Sequence, residues 1–321
     1  GSGKLHKEEN HAPRPVLDHY PLTENQRGVY IDWELNRDTR QYNIPSVDEM
    51  PAGIDAESLR KALLTVVNAH PYIKTRLAER EGEVVQLRLD SEPAVADVFK
   101  TDTKPDAAFF QQRVRPFDLF NDRLYRLEIY DYQGTLYLFQ DFHHIIFDGG
   151  SQVSFMQDVA DALAGKDVEQ ETYSAFDRAV DERELEQSEA YSAAESYFDG
   201  LMVDCEVASY PRSSRPDSKT PSAGLVTGLI DGSEIRRFCR RNSCTENSYF
   251  MASFSEVLQR VLRQKHLLYA SITSGRVTAE MLRIMGMFVK TLPVVTCASV
   301  PNDADEGKRT VKESVRQMQR Q

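Results

Sequence analysis

His143-His144-Ile145-Ile146-Phe147-Asp148-Gly149 is the stretch on which the reading of this chain turns. Before it come two runs rich in Tyr, Leu and Phe, residues 124–132 (LYRLEIYDY) and 135–143 (TLYLFQDFH). The Gln133-Gly134 pair between them predicts a two-residue hairpin turn, so both histidines fall at the end of a strand. Asp148-Gly149-Gly150-Ser151 then reads as a tight turn, because glycine tolerates backbone angles that a Cβ would strain. Val153, Met156, Val159, Ala160 and Leu163 recur at helical spacing beyond it, with Ser151 as a candidate cap and Gly165 as the stop. A neutral imidazole in such a place can accept a proton or a hydrogen bond from an attacking amine or hydroxyl. Asp148 can orient the local backbone through a charge-assisted bond. Adjacent strand residues point to opposite faces, so the two histidines are not expected to share a metal, and no metal site is expected.

Working outward, Asp55 is placed to cap a helix whose Leu59, Leu63, Val66 and Val67 share a face and which ends before Pro71. Residues 83–89 read as a strand, 173–200 as a charged helical stretch and 204–222 as a loop. In the second half, 224–231, 267–273 and 288–298 are strand-like, while 233–241, 246–264 and 306–321 are helical. Helices mixed with hairpins suggest two α/β or α+β sandwich lobes. The expected division is 1–15 as tag remnant and tail, 16–180 as an N-terminal lobe and 181–321 as a C-terminal lobe.

At 321 residues the chain is long enough for two lobes. A net charge of −11 without a long basic block argues against a nucleic-acid partner. No run of 18 apolar residues is present, so no membrane span is expected. Cys205, Cys239, Cys244 and Cys297 fit no zinc spacing and read as thiols in a reducing compartment. A cytoplasmic protein is expected.

The HHxxxDG string resembles the signature of the condensation-domain superfamily, which includes chloramphenicol acetyltransferase and related CoA-dependent acyltransferases. Further motifs narrow the resemblance to condensation domains of nonribosomal peptide synthetases. Pro21-Leu22-Thr23-Glu24-Asn25-Gln26, then Tyr30 and Tyr42-Asn43-Ile44-Pro45, looks like the family's opening motif. Asn68-Ala69-His70-Pro71-Tyr72-Ile73-Lys74-Thr75 is similar to the second, RHExLRT. Pro116-Phe117-Asp118-Leu119, with Leu124 and Arg126, resembles the PFDL…PLxR stretch, and Tyr173 to Asp177 resembles the fourth motif weakly. Ser274-Gly275-Arg276 followed by Gly286-Met287-Phe288-Val289-Lys290-Thr291-Leu292-Pro293 looks like the fifth. These run in family order from about residue 20 to 295.

The resemblance implies a two-lobed, V-shaped fold like chloramphenicol acetyltransferase and a reaction that joins two thioesters. A donor acyl or peptidyl group would pass to the amine of an acceptor aminoacyl group. Both would ride on the phosphopantetheine arms of donor and acceptor peptidyl carrier domains, with an adenylation domain as neighbour. No cofactor would be bound directly. His144 matches the catalytic histidine, acting either as base or as a positioning group. His143, Asp148, Gly149, Ser151 and Lys74 would support the site, with Lys74 as a candidate partner of Asp148. Arg276, Gly286, Phe288 and Thr291 would face a tunnel or the lobe interface. Tyr30, Ala69, Pro71, Lys74 and Lys290 stand where the family usually has Trp, Arg, Glu, Arg and Asn. The sixth and seventh motifs do not appear, so the chain reads as a fragment with an incomplete second lobe that can fold without being active. Rival readings are a non-catalytic docking relative, an epimerisation domain and a CoA-dependent acyltransferase.

Overall fold

The expected hairpin is present in the computed structural model, which describes residues 14–203, 226–264 and 266–297. Gln133 (φ 51°) and Gly134 (φ 87°) are both left-handed, the geometry that matches a two-residue turn to the twist of its strands. Along the chain come β1 (His19–Pro21), α1 (Glu24–Leu35), β2 (Asn43–Glu49) and α2 (Ala56–Ala69). After a short 3₁₀ turn at Pro71–Lys74 follow β3 (Arg76–Arg80), β4 (Glu83–Leu87), β5 (Asp97–Lys100) and α3 (Ala107–Gln111). The hairpin is β6 (Tyr125–Tyr132) and β7 (Thr135–His143). A second 3₁₀ turn, His144–Ile146, leads into α4 (Gly149–Leu163), α5 (Ala175–Leu185) and α6 (Glu189–Met202). The remainder is α7 (Gly232–Asn242), α8 (Glu246–Leu262), β8 (His266–Thr273) and β9 (Lys290–Cys297).

Two compact units emerge. Among the described residues the first holds 14–192 together with 274–290, and the second holds 193–203, 226–264, 266–273 and 291–297. The expected boundary near residue 180 falls inside α5. Residues 226–231 form no strand, contrary to expectation; the run lies largely exposed, with no ladder to join. The helical stretch expected over 173–200 is broken between α5 and α6. The loop expected at 204–222 and the helix expected at 306–321 lie outside the described residues.

The first unit is built on a four-stranded sheet in the order β2-β7-β6-β5, antiparallel except for β5 with β6. Its two faces follow from strand periodicity. Leu138 and Phe142 of β7 point into the main core, where Phe142 stacks on Phe147 and meets Phe155 of α4 edge-on. Phe139 and Tyr137 point the other way, into a small aromatic cluster with Phe110 and Tyr130. Helix α2 packs against α4 and buries Leu59, Leu63, Val66 and Val67, as its spacing predicts, and Asp55 caps it by accepting from Ser58 N at 2.9 Å. A three-stranded sheet, β1-β4-β3, lies beside α5, with Tyr20 stacked on Phe176 at 4.6 Å. Met281, Ile284, Met285 and Phe288 join the same core. In the second unit, β8 pairs with β9, and Ala252 and Val294 centre a separate small cluster.

Candidate functional site

The strand β7 delivers His143 and His144 into different environments. His143 is 2% exposed. Its Nδ1 accepts from Ile145 N at 3.2 Å, and its ring lies against Phe117 and Tyr42. Burial, with the neighbouring His144 and Arg126, pushes its pKa down to about 3, so this ring stays neutral. His144 begins the 3₁₀ turn and is half-buried. Its Nδ1 points inward with no hydrogen-bond partner, and the ring as a whole makes no hydrogen bond to any described residue.

With no hydrogen bond on the ring from the described residues, its polar anchoring comes from the backbone that carries it. His143 N donates to Leu124 O (2.9 Å) and His144 N to Tyr42 O (2.7 Å). Ile145 O accepts from Gln26 Nε2 at 2.8 Å. That amide also reaches Tyr72 Oη at 2.6 Å and Gln86 Oε1 at 2.9 Å. The Tyr72 hydroxyl in turn donates to Gln86 Oε1, and burial raises the pKa of its phenol. The other end of Gln26 closes a capping box at the start of α1: Oε1 accepts from Thr23 N at 3.0 Å, and Thr23 Oγ1 accepts from Gln26 N at 3.3 Å.

Asp148 is 1% exposed and does three things at once. Its Oδ1 accepts from Ser151 N at 2.8 Å, so Asp148 caps α4 and Ser151 does not. Carboxylate at this position also complements the helix dipole, which a serine hydroxyl would do less well. Oδ1 accepts from Arg276 Nη2 at 2.8 Å, and Oδ2 accepts from Phe288 N at 2.9 Å. Ser151 Oγ accepts from Arg276 Nη2 (2.8 Å) and Gly286 N (3.0 Å). Arg276 completes its fork on the carbonyls of Met281 and Ile284 and lies over the Phe288 ring. Glycines let these groups close up. A Cβ on Gly286 would meet the Phe288 ring at 2.6 Å and Ala175 Cβ at 2.8 Å, and one on Gly150 would meet Arg276 Nε at 2.5 Å.

The expected partner of Asp148, Lys74, is elsewhere: its Nζ donates to Asp90 O at 3.1 Å, and burial lowers its pKa. A planar guanidinium satisfies two carbonyls, a hydroxyl and a carboxylate together, which an ammonium cannot. Thus Arg276, Gly286 and Phe288 are gathered around Asp148 and Ser151. Gly149 opens α4 on the exposed side, and Thr291 is exposed on β9 and belongs to the second unit. Lys290 pairs with Glu182 at 2.9 Å, whose other oxygen accepts from Glu24 N at 3.1 Å.

Two further clusters were not anticipated. His70, 3% exposed, bonds Glu171 through Nδ1 (2.7 Å) and Asp158 through Nε2 (2.8 Å). Burial alone would lower its pKa, but the two carboxylates outweigh it and raise it to about 9. Asp141, fully buried on β7, accepts from Arg126 at 2.9 Å and Asn43 at 2.8 Å. Burial pushes its pKa up to about 6 against those donors. The signal for Gln26, His70, Tyr72 and Arg126 lay inside the quoted motifs. Gln86, Asp141, Asp158 and Glu171 carry no local signature.

Among the described residues, no group of three His, Cys, Asp or Glu side chains is arranged to hold a metal ion, and no helix is long and apolar enough to cross a membrane.

A family profile described as "Condensation domain" matches residues 16–321. Surfactin synthase subunit 2 of Bacillus subtilis (strain 168) is 30% identical over 288 residues, covering 87% of this chain and 8% of that protein. Tyrocidine synthase 3 of Brevibacillus parabrevis is 26% identical, covering 87% of this chain and 4% of its own length. The chain thus spans a small part of the curated relatives it matches. Among solved structures, the condensation domain from Monacolin K polyketide synthase MokA aligns with a TM-score of 0.77 at 18% identity, covering 96% of this chain and 74% of that one. The X-domain from teicoplanin biosynthesis aligns at 0.78 and 20% identity, covering 97% and 71%. These structural likenesses are likenesses of fold.

Proposed function

Because the chain belongs to the condensation-domain family of nonribosomal peptide synthetases, we propose that it forms an amide between two carrier-bound thioesters. The acceptor α-amine attacks the donor thioester carbonyl. A C–N bond forms, the tetrahedral intermediate collapses, the C–S bond breaks, and the donor arm leaves as a thiolate that takes up the amine proton. His144 Nε2 is the group offered to the amine. An α-amine has a pKa of about 8, so much of it is neutral without a strong base. The ring's main contribution is then to orient that amine and to relay its proton to the departing thiolate. Donor and acceptor peptidyl carrier domains are the partners, and an adenylation domain is the expected neighbour.

The observation that carries this reading is the half-buried His144 imidazole with no hydrogen bond to any described residue, at a turn whose backbone is tied on every side. A structural histidine would be bonded, as His143 and His70 are. The test is amide formation between loaded donor and acceptor carriers, with His144→Ala as control. The reading requires product from the native protein and a loss of rate of roughly 10²-fold or more in the variant. Equal product from both sinks it.

A further inference from the structure

We infer that Gln26 is a positioning residue for His144, acting through the backbone of the turn and not through the ring. This inference rests on the amide-forming role proposed above. The His144 ring has no orienting partner among the described residues, so its aim is set by the main chain on either side. On the upstream side that chain is fixed by two carbonyls, Leu124 O and Tyr42 O. On the downstream side two bonds stay inside the turn, Ile145 N to His143 Nδ1 and Phe147 N to His144 O (3.3 Å), while Ile145 O is held from outside it by the Gln26 amide at 2.8 Å. A side-chain amide is therefore what ties the Ile145–Ile146 peptide, the second after His144, to the rest of the unit.

Gln26 suits the task because it is itself rigid. It is 1% exposed. Its Oε1 is committed to Thr23 N at the head of α1, which orients the amide so that Nε2 faces the turn. The same Nε2 lies 2.6 Å from Tyr72 Oη and 2.9 Å from Gln86 Oε1, tying the turn to the 3₁₀ segment after α2 and to β4. Three segments far apart in sequence thus bear on one peptide. A misplacement near 1 Å at a reacting group can cost on the order of 10²-fold in rate, so loss of this anchor should appear in kcat.

The experiment uses Gln26→Met, of similar size but without donors, in the native polypeptide, alone and combined with His144→Ala. Amide formation is measured against both loaded carriers. The expected result is a kcat lower by roughly 10- to 100-fold, KM for each carrier changed less than about twofold, and no further loss when His144 is already alanine. Retained kcat, or an equal fold loss in both backgrounds, overturns the inference, since a purely structural role would lower both alike. If Gln26→Met does not fold, Gln26→Glu keeps the size and the Tyr72 contact while placing an acceptor against Ile145 O, and is read in the same way. If the native protein forms no amide, the functional reading falls, and the anchor is then tested by ¹⁵N NMR of the imidazoles. The His144 ring signals should move or broaden in Gln26→Met while those of the exposed His19 stay put; an unchanged His144 spectrum overturns the inference.

Discussion

Arg276 Nη2 lies 2.8 Å from Asp148 Oδ1 across 128 residues of sequence, with 3% and 1% of the two side chains reaching solvent. The pair is a ligature more than a bonus. It joins the N-terminus of α4 to residues 274–290 and leaves each partner expensive to strand alone.

Removing one partner should therefore be costly. Arg276→Ala is expected to lower stability by roughly 3–5 kcal/mol, because a buried carboxylate loses its counter-ion. Asp148→Asn, which keeps acceptors for Ser151 N, should cost less, and the double variant less than the sum. Urea denaturation measures all three. A loss under about 1 kcal/mol for Arg276→Ala would contradict this account.

Stability should fall in alkali through His70. Its folded pKa, about 9, lies above the unfolded value near 6.5. The stabilisation is complete below pH 6.5 and disappears as pH rises through 9. The shift corresponds to roughly 3 kcal/mol, and His70→Gln should flatten that limb of the stability–pH curve. The opposite slope in the native protein would refute the assignment of His70 as imidazolium.

The two neighbouring histidines should behave differently when truncated. His144→Ala should change stability by no more than about 1 kcal/mol, since no hydrogen bond is lost. His143→Ala should cost roughly 2 kcal/mol or more, because it removes a buried ring that packs on Phe117 and accepts from Ile145 N. Chemical denaturation of both variants decides.

Gly275 should tolerate no side chain. Its φ is +64°, and a Cβ there would sit 1.8 Å from Phe288 O, a backbone atom that cannot swing aside. Gly275→Ala is expected to destabilise by more than roughly 2 kcal/mol and to disturb Arg276 beside it. A thermal melt like that of the native protein would count against the described path of residues 274–290.

Wherever one short-range signal sufficed, the sequence was legible. Leu59, Leu63, Val66 and Val67 named the buried face of α2, Gln133-Gly134 named the hairpin, and HHxxxDG named the turn holding His144. Strands β2 and β5 were not legible: Pro45 interrupts one, and the other is four exposed residues hydrogen-bonded to a parallel neighbour. The partner of Asp148 was likewise hidden, because no local pattern distinguishes Lys74 from Arg276 as a counter-ion. What decides it is the number of acceptors waiting around the cation, and that is known only when the chain has closed.

The discontinuity of the first unit has a consequence for how it is made. At ribosomal rates of about 5–20 residues per second, the 128 residues from Asp148 to Arg276 take roughly 6 to 26 s to emerge. For that interval the carboxylate capping α4 lacks its arginine, and the core lacks Met281, Ile284, Met285 and Phe288. Completion of the unit is thus timed by translation, and a pause placed before the codon for Arg276 would lengthen its exposure to chaperones and proteases.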